Sequence, residues 1–158
     1  MAIVNDSDIG RLIALRKTVI NPKARNTEQR GSKRKTFDLE GPQSERFQMY
    51  VRQNLRIPEG YSCGLLFLHP SGEKVTLVRY NGSDHEHSNP LEQGTPIPFE
   101  CHIHRATERY IEAGRKAEHY AETTDRYVDL AGAIRALVYD CNIHGLSDNE
   151  ASPQIDLL

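Results

Sequence analysis

The sequence predicts an α+β fold: an antiparallel four- to five-stranded sheet with N- and C-terminal helices packed on one face. Three observations carry that reading. Residues 46–57 alternate apolar and polar, the period of a half-buried strand. Short apolar runs come next, separated by turn residues, as in strands joined by hairpins. The last third then changes to three- and four-residue spacing, the mark of amphipathic helix. With 158 residues the chain suits a single domain, residues 1–158.

Each element has its own signal. Ile9, Leu12, Ile13, Arg16 and Ile20 recur at helical spacing, which predicts a first helix over Asp8 to Ile20, capped by Asp6, Ser7 or Asp8 and ended by Asn21-Pro22. Residues 21–36 are polar and basic without periodicity and predict a flexible loop able to tighten on an anion. In the next segment Phe47, Met49, Val51, Leu55 and Ile57 fall on one side. Arg46, Gln48, Tyr50, Arg52, Asn54 and Arg56 fall on the other. Pro58-Glu59-Gly60 turns the chain into a second, more buried strand over Tyr61 to Leu68. After Pro70-Ser71-Gly72 comes a third strand, Lys74 to Tyr80, broken by Asn81-Gly82. A fourth, Pro98 to His104, carries Phe99, Cys101 and Ile103 on one side and Glu100, His102 and His104 on the other. A short helix is expected over Ala113 to Glu122. A longer one runs from Tyr127 through Leu130, Ala131, Ile134, Leu137, Val138 and Cys141, with Thr123 or Thr124 as cap. Residues 145–158 read as a frayed tail.

Composition narrows the class. No apolar run is long enough to span a bilayer and no secretory signal is visible, so no membrane partner is expected. Three widely spaced cysteines argue for a reducing compartment, hence a cytoplasmic location, and their apolar neighbours mark them as core residues. The net charge of −2 hides an asymmetry. Arg11 to Arg56 holds twelve Lys/Arg against four Asp/Glu, a net of +8; Ile57 to Leu158 holds eight against sixteen, a net of −8. Such segregation points to a basic surface for a polyanion, with Arg46, Tyr50, Arg52, Arg56, Lys33, Arg34 and Lys35 as its candidates.

If helices cover one sheet face, the other carries Arg46, Tyr50, Arg52 and Arg56 from an early strand and His102 and His104 from a late one. Histidine exchanges protons near neutral pH, and arginine forks bind phosphate. That set suits metal-independent RNA cleavage, which needs a base, an acid and fixed cations for the phosphorane charge. His102 and His104 are the candidates for proton transfer, Arg79 for phosphate and Tyr80 for base stacking or positioning, with His85, His87 and Glu108 as possible additions. No cofactor is expected and turnover is left open. Two alternatives stand beside this. One is a non-enzymatic binding or inhibitor protein, phage- or mobile-element-encoded, that uses a basic surface. The other is a metal-dependent hydrolase whose His-x-His would join His85 and His87 to His102 and His104 around a metal.

Arg79-Tyr80-Asn81-Gly82, His85-Glu86-His87-Ser88-Asn89-Pro90 and His102-Ile103-His104-Arg105 resemble segments of the TumE-type toxin group and related small bacterial and prophage proteins, over roughly Phe37 to Ile143. Where that group tends to have aspartate after the arginine, this chain has Tyr80-Asn81. The resemblance implies a toxin–antitoxin or phage-defence context with a small antitoxin-like partner; RNA rather than DNA is expected as the polyanion because the cleavage chemistry uses a 2′-hydroxyl.

Overall fold

The computed structural model describes residues 5–84, 89, 91 and 99–151. Helix α1 (Asp6–Ala14) opens the chain, with the Asn5 side chain accepting from the Asp8 amide and Ile9, Leu12 and Ile13 buried. It stops six residues short of the expected end. Leu15 is extended, and Lys17, Thr18 and Val19 form a strand, β1 (Lys17–Val19), where β-branched side chains are favoured.

The basic stretch expected as a loop is largely a hairpin. Strands β2 (Thr27–Gln29) and β3 (Ser32–Glu40) pair across a turn in which Arg30 and Gly31 take positive φ, 51° and 79°. Strand β4 (Arg46–Asn54) then pairs with β3 along nine residues, from Ser32↔Asn54 to Glu40↔Arg46. The first half of β3 carries no apolar residue, so hydrophobic alternation cannot reveal it; only Phe37 and Leu39 reach the core. Strands β5 (Tyr61–Leu68) and β6 (Lys74–Asn81) match their sequence expectations to within a residue. Strand β7 (His102–Arg105) continues the antiparallel order, and β8 (Ala121–Thr123) closes that edge. At the opposite edge β1 pairs with β3 and, in parallel, with β9 (Ile143–His144). The result is a curled nine-stranded sheet, larger than the four to five strands expected, with order β8-β7-β6-β5-β4-β3-β1-β9 and β2 beside β3.

One irregularity in β6 sets which side chains reach which face. Leu65 pairs with Val78 but Leu66 pairs with Thr76, so Leu77 is an extra residue in β6. A bulge of this kind shifts the phase of all side chains on one side of it.

Helix α2 (Glu108–Glu112) begins at Thr107, whose hydroxyl accepts from the Tyr110 amide. It lies before the helix expected over Ala113 to Glu122, and that span leads instead into β8. The long helix, α3 (Leu130–Asp140), is capped by Asp129, whose carboxylate accepts from the Gly132 amide. Its Ala133, Ile134 and Leu137 join Phe37, Phe47, Met49, Val51, Cys63 and Leu65 in the core. The core side chains of α1 belong to the same cluster. The tail expected to fray contains α4 (Asp148–Ala151), with Ala151 buried. Among the described residues no helix is long and apolar enough to cross a membrane.

Lys17 is fully buried, and its ammonium donates to three backbone carbonyls: Ile13 at 2.8 Å, Leu15 at 2.7 Å and Cys141 at 2.8 Å. It ties the ends of α1 and α3 together above the Phe47 ring, whose centroid is 4.9 Å away. Burial pulls its pKa down to about 8, against opposing pulls from Cys141 and Glu45. Lys17→Met should lower stability by about 1–3 kcal/mol by orphaning the three carbonyls. Between pH 8 and 10.5 the unfolded chain keeps a proton on Lys17 that the folded one has released, so this group's contribution rises with pH. Denaturant unfolding at pH 7.5 and about pH 10 should therefore show the gap between wild type and Lys17→Met widening at the higher pH. A constant gap would contradict the account.

Candidate nucleic-acid interface

Side chains that are partners in a sheet register share a face. One row across the sheet runs Arg34, Arg52, Ser62, Asn81, His102. The next runs Thr36, Tyr50, Gly64, Arg79, His104. The arginines of early strands and the imidazoles of β7 thus occupy one side, away from the α3 layer, as the sequence suggests. The imidazoles are not exposed there. His102 is 0% and His104 is 2% solvent-accessible. The segment between α2 and β8 lies against His104, with the Glu118 carbonyl 2.9 Å from its Nδ1. Alternation gives the face of a strand residue and is silent about a segment that later folds across it.

The histidines act as struts within this layer. His102 Nδ1 is 2.9 Å from the Glu100 carbonyl, so Nδ1 carries the proton. Its Nε2 then presents a lone pair toward Asn81 Nδ2, a long contact of 3.5 Å. The two imidazoles meet edge to face, centroids 5.0 Å apart. His104 makes the equivalent Nδ1 contact to Glu118.

In front of this layer Arg34, Tyr50, Arg52, Ser62, Arg79 and Asn81 line an open concavity of about 440 Å³. Arg34 lies over the Tyr50 ring, 4.4 Å from its centroid. Arg52 donates to Ser62 Oγ and Ser32 Oγ, both at 3.3 Å. Arg79 faces the Glu118 carboxylate at 3.5 Å and keeps 27% of its side chain exposed. Tyr50 can lie flat because Gly64 beside it has no side chain; a Cβ there would come within 2.8 Å of the ring and of the Val78 carbonyl. Burial, opposed by Arg79 and Arg34, raises the Tyr50 pKa, so its hydroxyl stays protonated.

Two features mark the surface as more than a solvated sheet face. Arg34 and Arg52 are direct cross-strand partners, and like charges so placed destabilise a sheet. Neither makes an ion pair among the described residues. In addition, Arg79 Nε and Asn81 Oδ1 are buried without a hydrogen-bond partner among the described residues. Leaving buried polar atoms unsatisfied costs free energy that a bound polar molecule would recover.

Other expected site residues lie elsewhere. Tyr80 is on the opposite face, because the Leu77 bulge turns Arg79 outward and Tyr80 inward. It is buried, stacks on Tyr127 at 6.1 Å, and donates to the Asp140 carboxylate, which also holds Arg126 in a two-pronged pair at 2.7 and 2.8 Å. It therefore neither stacks on a base nor touches a phosphate on the polar face. Lys33 and Lys35 alternate away from Arg34, and Lys35 donates to the Glu150 carbonyl at 2.9 Å. Arg46 shares the polar face but sits at its far end, beside Glu40 and Leu68. Arg56 lies past the end of β4, in the turn held by Asn54 Oδ1. Glu108 belongs to a reciprocal cap with Asp6, each accepting from the other's amide. His85 and His87 lie outside the described residues. Among the described residues no group of three or more His, Cys, Asp or Glu is placed to hold a metal.

Sequence patterning does not single out Asn81, Ser62 or Glu118. A polar residue ending an apolar strand is the available signal for Asn81. Tyr127 is a further support that helical spacing conceals: its hydroxyl donates between the carbonyls of Asn81 at 2.8 Å and His102 at 3.1 Å, fixing the ends of β6 and β7 from the core side.

Because the Arg34–Arg52 juxtaposition opposes folding, Arg52→Gln should be no less stable than wild type in thermal unfolding at low salt. It should gain up to roughly 0.5 kcal/mol, a difference that added salt erases. A loss of more than about 1 kcal/mol would show that Arg52 is a structural residue.

No curated protein and no solved structure matches the chain. A family model does match, over residues 4–143, and the chain belongs to that family, DUF6978, a family of unknown function.

Proposed function

We propose that this is a cytoplasmic RNA-binding protein that grips the phosphate backbone on the polar sheet face, with Arg34, Arg52 and Arg79 as phosphate ligands and Tyr50 as the ring between them. The carrying observation is the cross-strand juxtaposition of Arg34 and Arg52, two guanidiniums with no carboxylate partner among the described residues, beside a concavity. Guanidinium forks match phosphate oxygens in geometry and charge, so a bound polyanion turns this repulsion into attraction. Binding without turnover is the reading the geometry favours, since both imidazoles lie beneath the surface.

The likeness of Arg79-Tyr80-Asn81-Gly82 and His102-Ile103-His104 to TumE-type toxins supports a toxin–antitoxin context. A small neutralising partner, which the same likeness implies, would act most simply by laying carboxylates on these guanidiniums. Metal-independent RNA cleavage is the second reading, favoured by one feature: Arg79, which lines the concavity, faces the Glu118 carboxylate, and the Glu118 carbonyl lies against His104. In that reading His104→Ala abolishes cleavage of cellular RNA while leaving binding intact.

The test is fluorescence anisotropy with a labelled single-stranded RNA. Affinity should fall with salt along a log–log slope of about −2, the value for three neutralised phosphates on a single strand. Arg34→Ala and Arg52→Ala should each weaken binding roughly tenfold and flatten the slope by somewhat less than one. Tyr80→Phe, on the other face, should bind as wild type does. Equal affinity in all four proteins would sink the proposal.

A further inference from the structure

Within the proposed phosphate-binding face, one group does not fit a purely electrostatic grip. Asn81 is 6% accessible, lines the concavity, and leaves its Oδ1 buried with no hydrogen-bond partner among the described residues. An acceptor is the wrong group to offer a phosphate, whose oxygens are acceptors too. Water-exposed asparagine would need no explanation. A nine-tenths buried one, next to Ser62 on the arginine-bearing face and with its acceptor unmet, calls for a donor.

The surrounding bonds fix which end of the amide faces His102. The Glu100 carbonyl takes the Nδ1 proton of His102, which leaves a lone pair on Nε2 directed at the Asn81 amide. Only the NH₂ end is attracted to a lone pair, so Nδ2 is turned toward His102 and Oδ1 away from it. The backbone at this point is held from beneath by the Tyr127 hydroxyl, which donates between the Asn81 and His102 carbonyls. His102 is accordingly a positioning residue, and its burial, which removes it from proton transfer, is what the orienting role requires.

We infer that Asn81 Oδ1 is a specificity acceptor: the ligand bound by Arg34, Arg52 and Arg79 presents a hydrogen-bond donor beside its phosphate. In a ribonucleotide two groups meet this description, the ribose 2′-hydroxyl and a base N–H. The 2′-hydroxyl is the closer fit, since it is attached to the carbon adjacent to the 3′-phosphate ester and travels with the backbone whatever the sequence. Such an acceptor would let the protein distinguish RNA from DNA.

The inference rests on the phosphate-binding reading, and the experiment separates the two. Affinities of the wild type and of Asn81→Leu are measured at one salt concentration for a short oligouridine and for its 2′-deoxy, 2′-O-methyl and 2′-fluoro counterparts, which keep the base and the phosphates. The ligand series leaves the protein untouched, so its result does not depend on any variant folding. A wild type that prefers the ribo-oligomer over all three analogues by roughly tenfold, the value of one hydrogen bond, with the preference gone in Asn81→Leu, supports the 2′-hydroxyl. Equal wild-type binding to all four oligomers, weakened equally by Asn81→Leu, supports the acceptor role with a base N–H as its donor. Equal binding to all four by both proteins overturns the inference while sparing the phosphate face. Failure of the wild type to bind any of them rejects that face and the inference together.

Discussion

A single extra residue in β6 decides which side of the sheet Arg79 serves. From Lys74 to Thr76 the strand pairs with β5 in one register, and from Val78 to Asn81 in another, with Leu77 taking up the difference. Were the first register to continue, Arg79 would pair with Cys63 on the core face and Tyr80 with Ser62 on the polar face. Burying a guanidinium under α3 and turning a tyrosine outward would cost several kcal/mol. The bulge avoids this and completes the two rows that end in His102 and His104. The β6 part of the proposed interface, Arg79 and Asn81, depends on that phase, because a shift of one residue moves each side chain to the opposite face.

The polar face is costly to maintain, which is the physical reason to read it as functional. Two arginines are held side by side across β3 and β4, an aromatic ring lies over a glycine, and buried polar atoms go unmatched. The opposite face is better satisfied: its tyrosines donate to Asp140 and to backbone carbonyls, and Lys17 satisfies three carbonyls at once. Stability therefore resides on the helical side, whereas the polar side carries the conflicts that a ligand would relieve.

Legibility in the sequence divides along the same line. Strands β4, β5 and β6 can be read because each puts apolar residues on the core at period two, and the common face of Arg52 and the imidazoles comes from alternation alone. Strand β3 is hidden, since its first half has no apolar residue to count, and β1 merges into a helix because Arg16 and Ile20 happen to continue the α1 spacing. The phase slip in β6 does leave a trace, the adjacent apolar pair Leu77-Val78, which breaks an alternation that Val75 begins. Without that trace Tyr80 is assigned to the wrong face. The burial of His102 and His104 leaves no trace in β7 itself, as the covering segment is polar and aperiodic, and its Glu118 reads as a surface residue.

Charge segregation along a chain is not charge segregation in space, and here the two differ cation by cation. Of the basic half, Lys17 goes into a cage of carbonyls, Lys35 ties α4 to the sheet through the Glu150 carbonyl, and Arg16 lies 3.3 Å from His144 Nε2 at the opposite edge of the sheet. Only Arg34 and Arg52 of that half reach the concavity, where Arg79 from the acidic half joins them. Three guanidiniums thus gather at one concavity, with the Glu118 carboxylate against Arg79, in a molecule whose net charge is −2. An isolated positive patch on a protein of opposite net sign repels other polyanions from the rest of its surface and draws them to one place. In the proposed function that field would orient a strand across the sheet, from Arg34 toward Asn81, rather than bind it anywhere.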